Sequence, residues 1–450
     1  MKVQERMADY ATLTNDISLR PLGDVTRPTR PRVKPSDKPH LPFIGMEHVE
    51  AHTMRLLGTV LASTMKSSAV HFQPGDVLYG RLRPYLNKVY RPDFEGLCSA
   101  EFIVFPKSEN LDSRYLQYFL NSSAFVKYAS HLNAGDRPRV DFDQLAPYPF
   151  PVAPLDQQKR IVAEIEKQFS RLDEAVANLK RVKANLKRYK AAVLKAAVEG
   201  RLVETEADRA RREGRGYETG AQLLQRILET RRSQWQGKGK YKEPAAPDNT
   251  DLPDLPEGWA WSTMPQLGEL NRGKSKHRPR DDERLYGGPY PFIQTGDVRK
   301  SGGSITTHSQ TYSEFGLQQS RLWPVGTLCI TIAANIAETG VLKFAACFPD
   351  SVVGFLMEAN EITTRYVECF IRTAREKLER FAPATAQKNI NLEVLEAVCV
   401  PLPPMSEQYR IVAEVDRRLT LLCQTEAQVD ANLQRAERMR QALLSSVFSG

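Results

Sequence analysis

Two segments of the chain place hydrophobic residues at alternating spacings of three and four, among many charged residues. The first segment runs from residue 154 to 200 and the second from 404 to 450. Such spacing over about four heptads is typical of a coiled-coil seam rather than of the broad apolar face of a packed helix. The pattern therefore predicts two long helices, each about 65–70 Å long at 1.5 Å per residue.

The seams also predict how the helices pack. We expect the two seams to bury each other; the alternative is that each packs separately on another chain. An antiparallel pair in which facing residue numbers sum to about 605 aligns the seams, and it sets Lys190 beside Glu414 and Arg440 beside Glu164. The residues expected to pair are Ile165, Phe169, Leu172, Val176, Leu179 and Leu186 of the first helix and Val415, Leu419, Leu422, Val429, Leu433 and Leu443 of the second.

Both helices belong to an internal repeat with a shift of 250 residues. The run PLDQQKRIVAEI from Pro154 is matched by PMSEQYRIVAEV from Pro404, with seven of twelve positions identical. Solenoid repeats have periods of about 20–50 residues, so this period indicates a duplicated domain. Antiparallel helices would relate the two halves by a pseudo-two-fold axis. Below, residues 1–200 are the first repeat and residues 251–450 the second repeat.

The segment before each helix has the pattern of short strands and helices. Runs at 76–79, 101–105 and 327–332 predict strands, while 115–120 and 365–379 predict helices. The expected fold is α+β (mixed α/β), with two homologous globular domains separated by two long helices that pair as an antiparallel coiled coil. The expected boundaries are 1–150 for the first domain, 151–202 for its helix, 203–257 for a connector with a short helix at 221–233, 258–401 for the second domain and 402–450 for its helix.

Composition favours a soluble protein with a polyanionic partner. The chain has 450 residues, no run of 18 apolar residues and no hydrophobic stretch near Met1, which predicts no membrane span and no secretion signal. Six scattered cysteines without a CxxC pair argue against a disulfide framework or a structural zinc site and favour the cytosol. The net charge of +9 favours nucleic acid as a partner, although a basic protein need not bind it.

Basic residues crowd two matching places in the repeats. Both runs follow a Leu-Gly-acidic turn, at Leu22 and at Leu267. Two basic loops at homologous positions with different sequences favour paired contacts to phosphates or guanines over plain solvated surface. The residues are Arg27, Arg30, Arg32, Lys34 and Lys38 in the first repeat and Arg272, Lys274, Lys276, Arg278 and Arg280 in the second.

Two further groups are weaker candidates for DNA contact. Arg81 and Arg83 follow a predicted strand, and Arg137 and Arg139 precede the last strand of the first repeat. The loop that matches the latter pair contains Gln387, Lys388 and Asn389, which are also residue types that read bases. An arginine at a strand edge is more often structural.

Motifs for catalysis or metal binding are absent or lack their context. Residues 268–275 read GELNRGKS, a literal GxxxxGKS, but the charged, proline-broken run that follows is unsuited to the helix a phosphate loop needs. His48 and His52 are four residues apart without the HExxH order or a third ligand. No signature of a methyltransferase, a glycine-rich cofactor loop or a nuclease is present, so the chain is expected to be no enzyme and to bind no metal.

The chain resembles the specificity (S) subunits of type I restriction–modification enzymes over nearly all its length. The resemblance rests on the Pro-Leu-x-x-Gln-x-x-Ile-Val helix openings at 154–162 and 404–412, on KAAVLKAAVEGRL at 190–202, and on the connector end LPEGW at 255–259. The first helix opens Asp156-Gln-Gln, where the family more usually has an acidic residue before the glutamine, as in Ser406-Glu-Gln.

This resemblance implies a role. The family uses two target-recognition domains, one for each half of a bipartite DNA sequence, on an antiparallel coiled coil. The implied partners are double-stranded DNA, two methyltransferase (M) subunits and restriction/translocase (R) subunits, and the implied place is the prokaryotic cytosol and nucleoid. The chain itself would bind no cofactor, since S-adenosylmethionine, ATP and magnesium belong to the partner subunits. A stand-alone DNA-binding regulator and a coiled-coil scaffold without DNA function are the alternatives.

Overall fold

The chain forms two compact units in a computed structural model that describes residues 17–28, 32–237, 239–248, 250, 252–333, 336–357, 361–380 and 390–448. The first unit comprises Met1–Val182 and Gln428–Gly450, and the second comprises Lys183–Ala427. The helices are α1 (Leu22–Val25), α2 (Ser113–Leu120), α3 (Ser123–His131), α4 (Phe142–Leu145), α5 (Leu155–Val198), α6 (Glu206–Glu213), α7 (Gly220–Ser233), α8 (Met264–Leu267), α9 (Thr295–Lys300), α10 (Glu314–Gln318), α11 (Glu361–Arg380), α12 (Leu392–Glu396) and α13 (Met405–Phe448).

The strands are short and lie in both units. They are β1 (Ser18–Pro21), β2 (Arg32–Val33), β3 (Pro42–Ile44), β4 (Val60–Leu61), β5 (Ala69–Phe72), β6 (Val77–Gly80), β7 (Val89–Tyr90), β8 (Gly96–Ser99), β9 (Phe102–Phe105), β10 (Pro149–Val152), β11 (Ala260–Thr263), β12 (Glu269–Arg272), β13 (Tyr286–Phe292), β14 (Ser304–Ile305), β15 (Gln310–Tyr312), β16 (Leu328–Thr331), β17 (Thr339–Leu342), β18 (Val352–Leu356) and β19 (Cys399–Leu402). The predicted mixed α+β class is confirmed.

Each unit holds small, mostly antiparallel sheets. The first unit contains the orders β1-β10, β2-β5-β8-β3-β4 and β7-β6-β9, in which only β3 and β8 run parallel. The second unit contains β11-β19, β12-β18-β16-β17-β14 and β13-β15, in which only β14 and β17 run parallel. These statements hold for the described residues. In both units the largest buried cluster joins the sheets to a long helix.

The glutamine shared by the two helix openings has the same task in each repeat. Gln158 donates its side-chain amide to the carbonyl of Ala153 at 2.8 Å, and Gln408 donates to the carbonyl of Pro403 at 2.9 Å. Both side chains are buried. The glutamine therefore ties the end of the last strand of each repeat to the first turn of the helix that follows. It also supplies the hydrogen-bond donor that a buried backbone carbonyl needs.

The two long helices pair in antiparallel fashion within each unit. In the first unit, Ile165 near the start of α5 is buried in one cluster with Val447 near the end of α13. In the second unit, Leu194 near the end of α5 is buried in one cluster with Val412 near the start of α13. The predicted antiparallel coiled coil is confirmed. The positions predicted to pair are all buried or half-buried.

The predicted charge pairs across the helices are wrong. Arg440 reaches Asp173 at 3.2 Å and lies over the ring of Phe169 at 4.3 Å, not beside Glu164. Glu414 accepts from Arg417 and Arg418 of its own helix. Glu164 likewise accepts from Lys167 and Gln168 of its own helix. Partners three or four residues away are always in reach of these glutamates, whereas a partner on the other helix depends on the register, which brings Asp173 rather than Glu164 to Arg440.

The connector is fastened to the start of α13 by a buried carboxylate. Glu407 is fully buried and accepts hydrogen bonds from the backbone N–H of Glu206 at 2.8 Å and from the indole N–H of Trp259 at 3.1 Å. Glu206 is itself buried and pairs with Arg215 and Arg410, each at 2.6 Å. Burial raises the pKa of Glu407. Glu407 of the second helix opening, where the first has Gln157, thus holds the connector between the repeats.

Candidate nucleic-acid interface

The basic loop of the second repeat continues an edge strand. β12 pairs with β18 at one edge of its sheet and ends at Arg272. After it, Lys274 and Lys276 are exposed, whereas Gly273 is buried and Ser275 half-buried. The alternation is that of an extended chain, in which every second side chain lies on the same side, about 6.5 Å from the next. Three cations therefore line one face.

Neighbouring side chains fix the backbone of this loop. The backbone N–H groups of Lys276 and His277 both donate to the side-chain oxygen of Gln319, at 2.5 and 3.0 Å. The hydroxyl of Ser320 donates to the carbonyl of Lys274 at 2.8 Å. The loop is therefore held in place by α10 and the residues after it, and the side chains of its lysines take no part in these bonds.

The remaining cations of this loop already have partners. Arg280 forms an ion pair with Asp350 at 3.1 Å. The guanidinium of Arg278 donates to the carbonyls of Ser275 and His277. By contrast, within the described residues no ion pair involves Arg272, Lys274 or Lys276. These three, rather than the five predicted, are the cations that a phosphate backbone would find unpaired.

The matching loop of the first repeat is described only in part. Arg30 lies outside the described residues. Arg27 is exposed and donates to the carbonyl of Gly23 at 3.3 Å. Arg32 on β2 and Lys34 just after it are both exposed and two residues apart, the same spacing as in the second repeat.

Lys38 at the end of this loop is neutralised. Its ammonium lies 2.9 Å from Glu95, which also accepts from His71 at 2.7 Å. Hydrogen bonds from Lys38 and His71 lower the pKa of the Glu95 carboxyl. The side chain therefore belongs to a local ion-pair network.

The structure brings together the two segments that carry the other four candidate arginines of the first repeat, Arg81, Arg83, Arg137 and Arg139. Leu82 forms an antiparallel bridge with Arg139, and the backbone N–H of Arg83 donates to the carbonyl of Pro138 at 2.7 Å. The ends of β6 and of the 137–140 segment therefore lie side by side, although more than fifty residues separate them in sequence.

Carboxylates engage two of these arginines. Arg81 forms an ion pair with Asp141, and Arg139 makes a bidentate pair with Glu101 at 2.6 and 3.1 Å. Arg137 is exposed, and the described residues hold no ion-pair partner for it. The corresponding loop of the second repeat, with Gln387, Lys388 and Asn389, lies outside the described residues.

The GxxxxGKS match has a structural explanation. The four variable residues of the motif form the paired strand β12. Among the described residues, the next helical element after Lys274 is the single short turn at Glu283–Leu285. A phosphate loop instead needs a strand before it and a helix directly after it. A Cβ on Gly273 would lie 2.3 Å from the carbonyl oxygen of Phe348. The glycine is there because the backbone packs too closely for a side chain.

An exposed aromatic residue beside this loop was not among the residues predicted from the sequence. Phe315 on α10 is 39% exposed, lies edge-on to His277 at 5.2 Å and sits under the guanidinium of Arg284 at 5.1 Å. His277 and Arg284 both bond Asp282, and Arg284 lowers the pKa of that carboxyl. The signal was a lone phenylalanine in a polar segment, which is ordinary by itself.

Two properties of the described residues concern metal binding and membrane insertion. No group of three or more His, Cys, Asp or Glu residues in it is arranged to hold a metal ion. His48 and His52 lie in separate turns, and the ring of His48 accepts from the backbone N–H of Gly45 at 2.9 Å. None of its helices combines the length and the apolarity that a membrane crossing requires.

Curated relatives are specificity subunits. The chain is 28% identical to the type I restriction enzyme EcoDI specificity subunit of Escherichia coli over 173 residues, which is 37% of this chain and 38% of that protein. It is 22% identical to the EcoKI specificity subunit of E. coli K12 over 375 residues, 79% of this chain and 68% of that protein. The first alignment thus spans less than half of its relative's length.

Solved structures share the fold. A chain from work on complex assembly and conformational transition of the type I R-M system matches with a TM-score of 0.71 at 19% identity, covering 96% of this chain and 97% of that chain. The HsdS subunit from Thermoanaerobacter tengcongensis matches with a TM-score of 0.58 at 20% identity, covering 97% of each. The family described as type I restriction modification DNA specificity domain matches residues 17–188 and 256–434, once in each repeat. The chain belongs to this family.

Proposed function

We propose that the chain is the DNA-recognition subunit of a type I restriction–modification complex. Each repeat reads one half of an asymmetric bipartite target, and the helices fix the spacer and dock two methyltransferase subunits, with restriction subunits joining them. The chain itself is non-catalytic, binds no cofactor and acts in the prokaryotic cytosol. Relatives named as specificity subunits support this role, and so does the basic face described above.

The observation that carries the DNA-binding part is the face of Arg272, Lys274 and Lys276. Exposed cations without carboxylate partners attract phosphates at no cost of breaking an ion pair, and counterion release makes such contacts sensitive to salt. Their loop is fixed in advance by Gln319 and Ser320. A preformed loop loses little conformational entropy on binding.

The first test is the salt dependence of binding. The chain assembled with its methyltransferase subunits should lose affinity when Arg272, Lys274 and Lys276 are all changed to alanine, and the slope of log K against log salt should fall by about 3. The control changes Arg211, Arg212 and Arg226 to alanine, which removes the same charge from ion-paired connector positions. An unchanged slope in the first variant, or an equal change in the control, would remove the basic face from the interface.

The second test addresses the bipartite target. Methylome sequencing of the host should assign this system a motif of two different half-sites separated by an unspecified spacer. A single contiguous motif would overturn the proposal of one half-site per repeat. Tight, sequence-specific binding by the chain without methyltransferase subunits would favour the stand-alone regulator instead.

A further inference from the structure

Two neighbouring turns of the first repeat hold residues in an unfavourable backbone conformation. Arg83 has φ 53° and Asn87 has φ 45°, and they flank the turn Pro84–Leu86. His52 and Met54 form the second turn with φ 64° and 60°. Together they are four of the five non-glycine residues with positive φ in the described chain. Such strain persists only where the surroundings enforce it, and it concentrates at functional sites.

Several hydrogen bonds enforce the conformation. The backbone N–H of His52 donates to the carbonyls of Leu86 and Asn87, at 3.2 and 3.1 Å, which joins the two turns. The N–H of Arg83 is held by the carbonyl of Pro138 at 2.7 Å. Asn87 is 2% exposed, and its side-chain amide donates to the carbonyl of Asn121 at 3.4 Å. Pairing to three different segments makes the turn rigid.

The residue that this turn presents is an aromatic ring. Tyr85 is 45% exposed and is the only exposed residue between positions 81 and 90. Its neighbour Pro84 is buried, so the turn is anchored on one side and open at its apex. Arg137, exposed and without an ion-pair partner in the described residues, adjoins Pro138, to which Arg83 is bonded.

We propose that Tyr85 contacts a base or base step of the first half-site. This rests on the proposed function. An exposed aromatic ring on a turn whose backbone is bonded to the segment of an unpaired cation suits a nucleic acid, because such a ring stacks on base faces while a guanidinium meets phosphate. The hydrogen-bonded turn fixes the backbone that carries the ring before binding, so little loop entropy is lost. Ala337, 250 residues after Asn87, also has a positive φ of 57°.

The test measures discrimination by the complex assembled with methyltransferase subunits, on DNA carrying the methylated motif found in the host. Tyr85→Ala should weaken binding to the intact target by about tenfold to a hundredfold, as expected for loss of one base–aromatic contact. Tyr85→Phe should keep most of the affinity. On DNA with the first half-site scrambled, wild type and Tyr85→Ala should bind equally. Leu19→Ala, which removes another exposed side chain of the first repeat, should bind like wild type.

The outcomes separate this inference from the proposed function. If the wild-type complex fails to distinguish target from scrambled DNA, the proposed function is what fails. If it distinguishes them and Tyr85→Ala does so equally well, the contact by Tyr85 is wrong. If Tyr85→Ala no longer co-purifies with methyltransferase subunits while Leu19→Ala does, then Tyr85 contacts protein, which also overturns the inference.

Discussion

In both repeats the first strand pairs with the strand that directly precedes a long helix, β1 with β10 and β11 with β19. Both repeats also share a three-stranded core, β7-β6-β9 in one and β17-β16-β18 in the other. Beyond these elements they differ. In the second repeat the basic loop follows the edge strand β12, which pairs with β18. In the first repeat the basic loop contains β2, which pairs with β5. The shared elements bury the helix seams, and the divergent ones carry the basic loops.

The repeats also differ in how they use their cations. In the first repeat, Lys38, Arg81 and Arg139 are paired with carboxylates, whereas the exposed Arg32, Lys34 and Arg137 have no such partner among the described residues. In the second repeat, Arg280 is paired in this way, whereas four loop cations have no carboxylate partner among the described residues: Arg272, Lys274, Lys276 and Arg278. Under the proposed function, the two domains read different half-sites and therefore need different DNA contacts. Both domains still need the same packing against the long helices. The comparison thus separates residues kept for packing from residues that differ with the target.

The largest expected effect concerns the buried glutamine that ties the last strand of each repeat to its long helix. Gln158→Leu and Gln408→Leu should each lower the free energy of unfolding by about 2–4 kcal/mol, because each buried group left without a partner costs about 1–3 kcal/mol. Gln158 also accepts from the backbone N–H of Asp112, and Gln408 from the hydroxyl of Thr363. Urea denaturation of the full chain is the measurement. Gln428→Leu, at an exposed helix position, is the control. A large loss in one repeat only would break the equivalence.

A smaller effect is expected where the helix openings differ. Glu407→Ala should cost about 1–3 kcal/mol, because the N–H of Glu206 and the indole of Trp259 lose their acceptor. Burial raises the pKa of Glu407, so its contribution is full below the unfolded pKa of about 4.3 and declines as the pH rises through the folded pKa. The difference between wild type and Glu407→Ala should therefore be larger at pH 4 than at pH 7. The opposite trend would show that the carboxylate, not the acid, holds the connector.

The elements with a strong period were predictable from the sequence. The long helices were expected at 154–200 and 404–450 and span Leu155–Val198 and Met405–Phe448. The connector helix expected at 221–233 spans Gly220–Ser233. Helix α6 was missed, because six of its eight residues are charged and only two alanines face the core. Its caps, Thr205 and the left-handed Gly214, were the usable signal.

The pairing of charges was not predictable. Arg280 meets Asp350 seventy residues away, and Arg139 meets Glu101 thirty-eight residues away. A sequence shows which residues are basic but not which basic residues a distant carboxylate neutralises, since this depends on tertiary contacts. The same limit hid the turn at Tyr85, whose left-handed residues are arginine and asparagine rather than glycine. Local propensity favours glycine at such positions.

The smallest expected effect compares one carboxylate in each long helix. Glu414 accepts from Arg417 and Arg418, which lower its pKa to about 2. Glu164, 250 residues earlier, is partly desolvated, which raises its pKa, but hydrogen bonds from Gln168 and Lys167 outweigh this and leave the pKa below its usual value. Two guanidiniums stabilise a carboxylate more than one ammonium and one amide do. The pKa of both carboxyls is lowered, so each stabilises the fold fully above its unfolded pKa and loses this contribution as the pH falls. The loss should occur at a lower pH for Glu414 than for Glu164.

Carbon-13 NMR of the side-chain carboxyls should show this order, with each signal assigned by its loss in a Glu→Gln variant. The double variant Lys167→Arg, Gln168→Arg copies the second repeat's site into the first and should move the titration of Glu164 towards that of Glu414. The reverse exchange, Arg417→Lys with Arg418→Gln, should raise the titration of Glu414. If the exchanges leave both titrations in place, the local partners do not set these pKa values. The two helices would then differ through contacts across the coiled coil rather than within each helix.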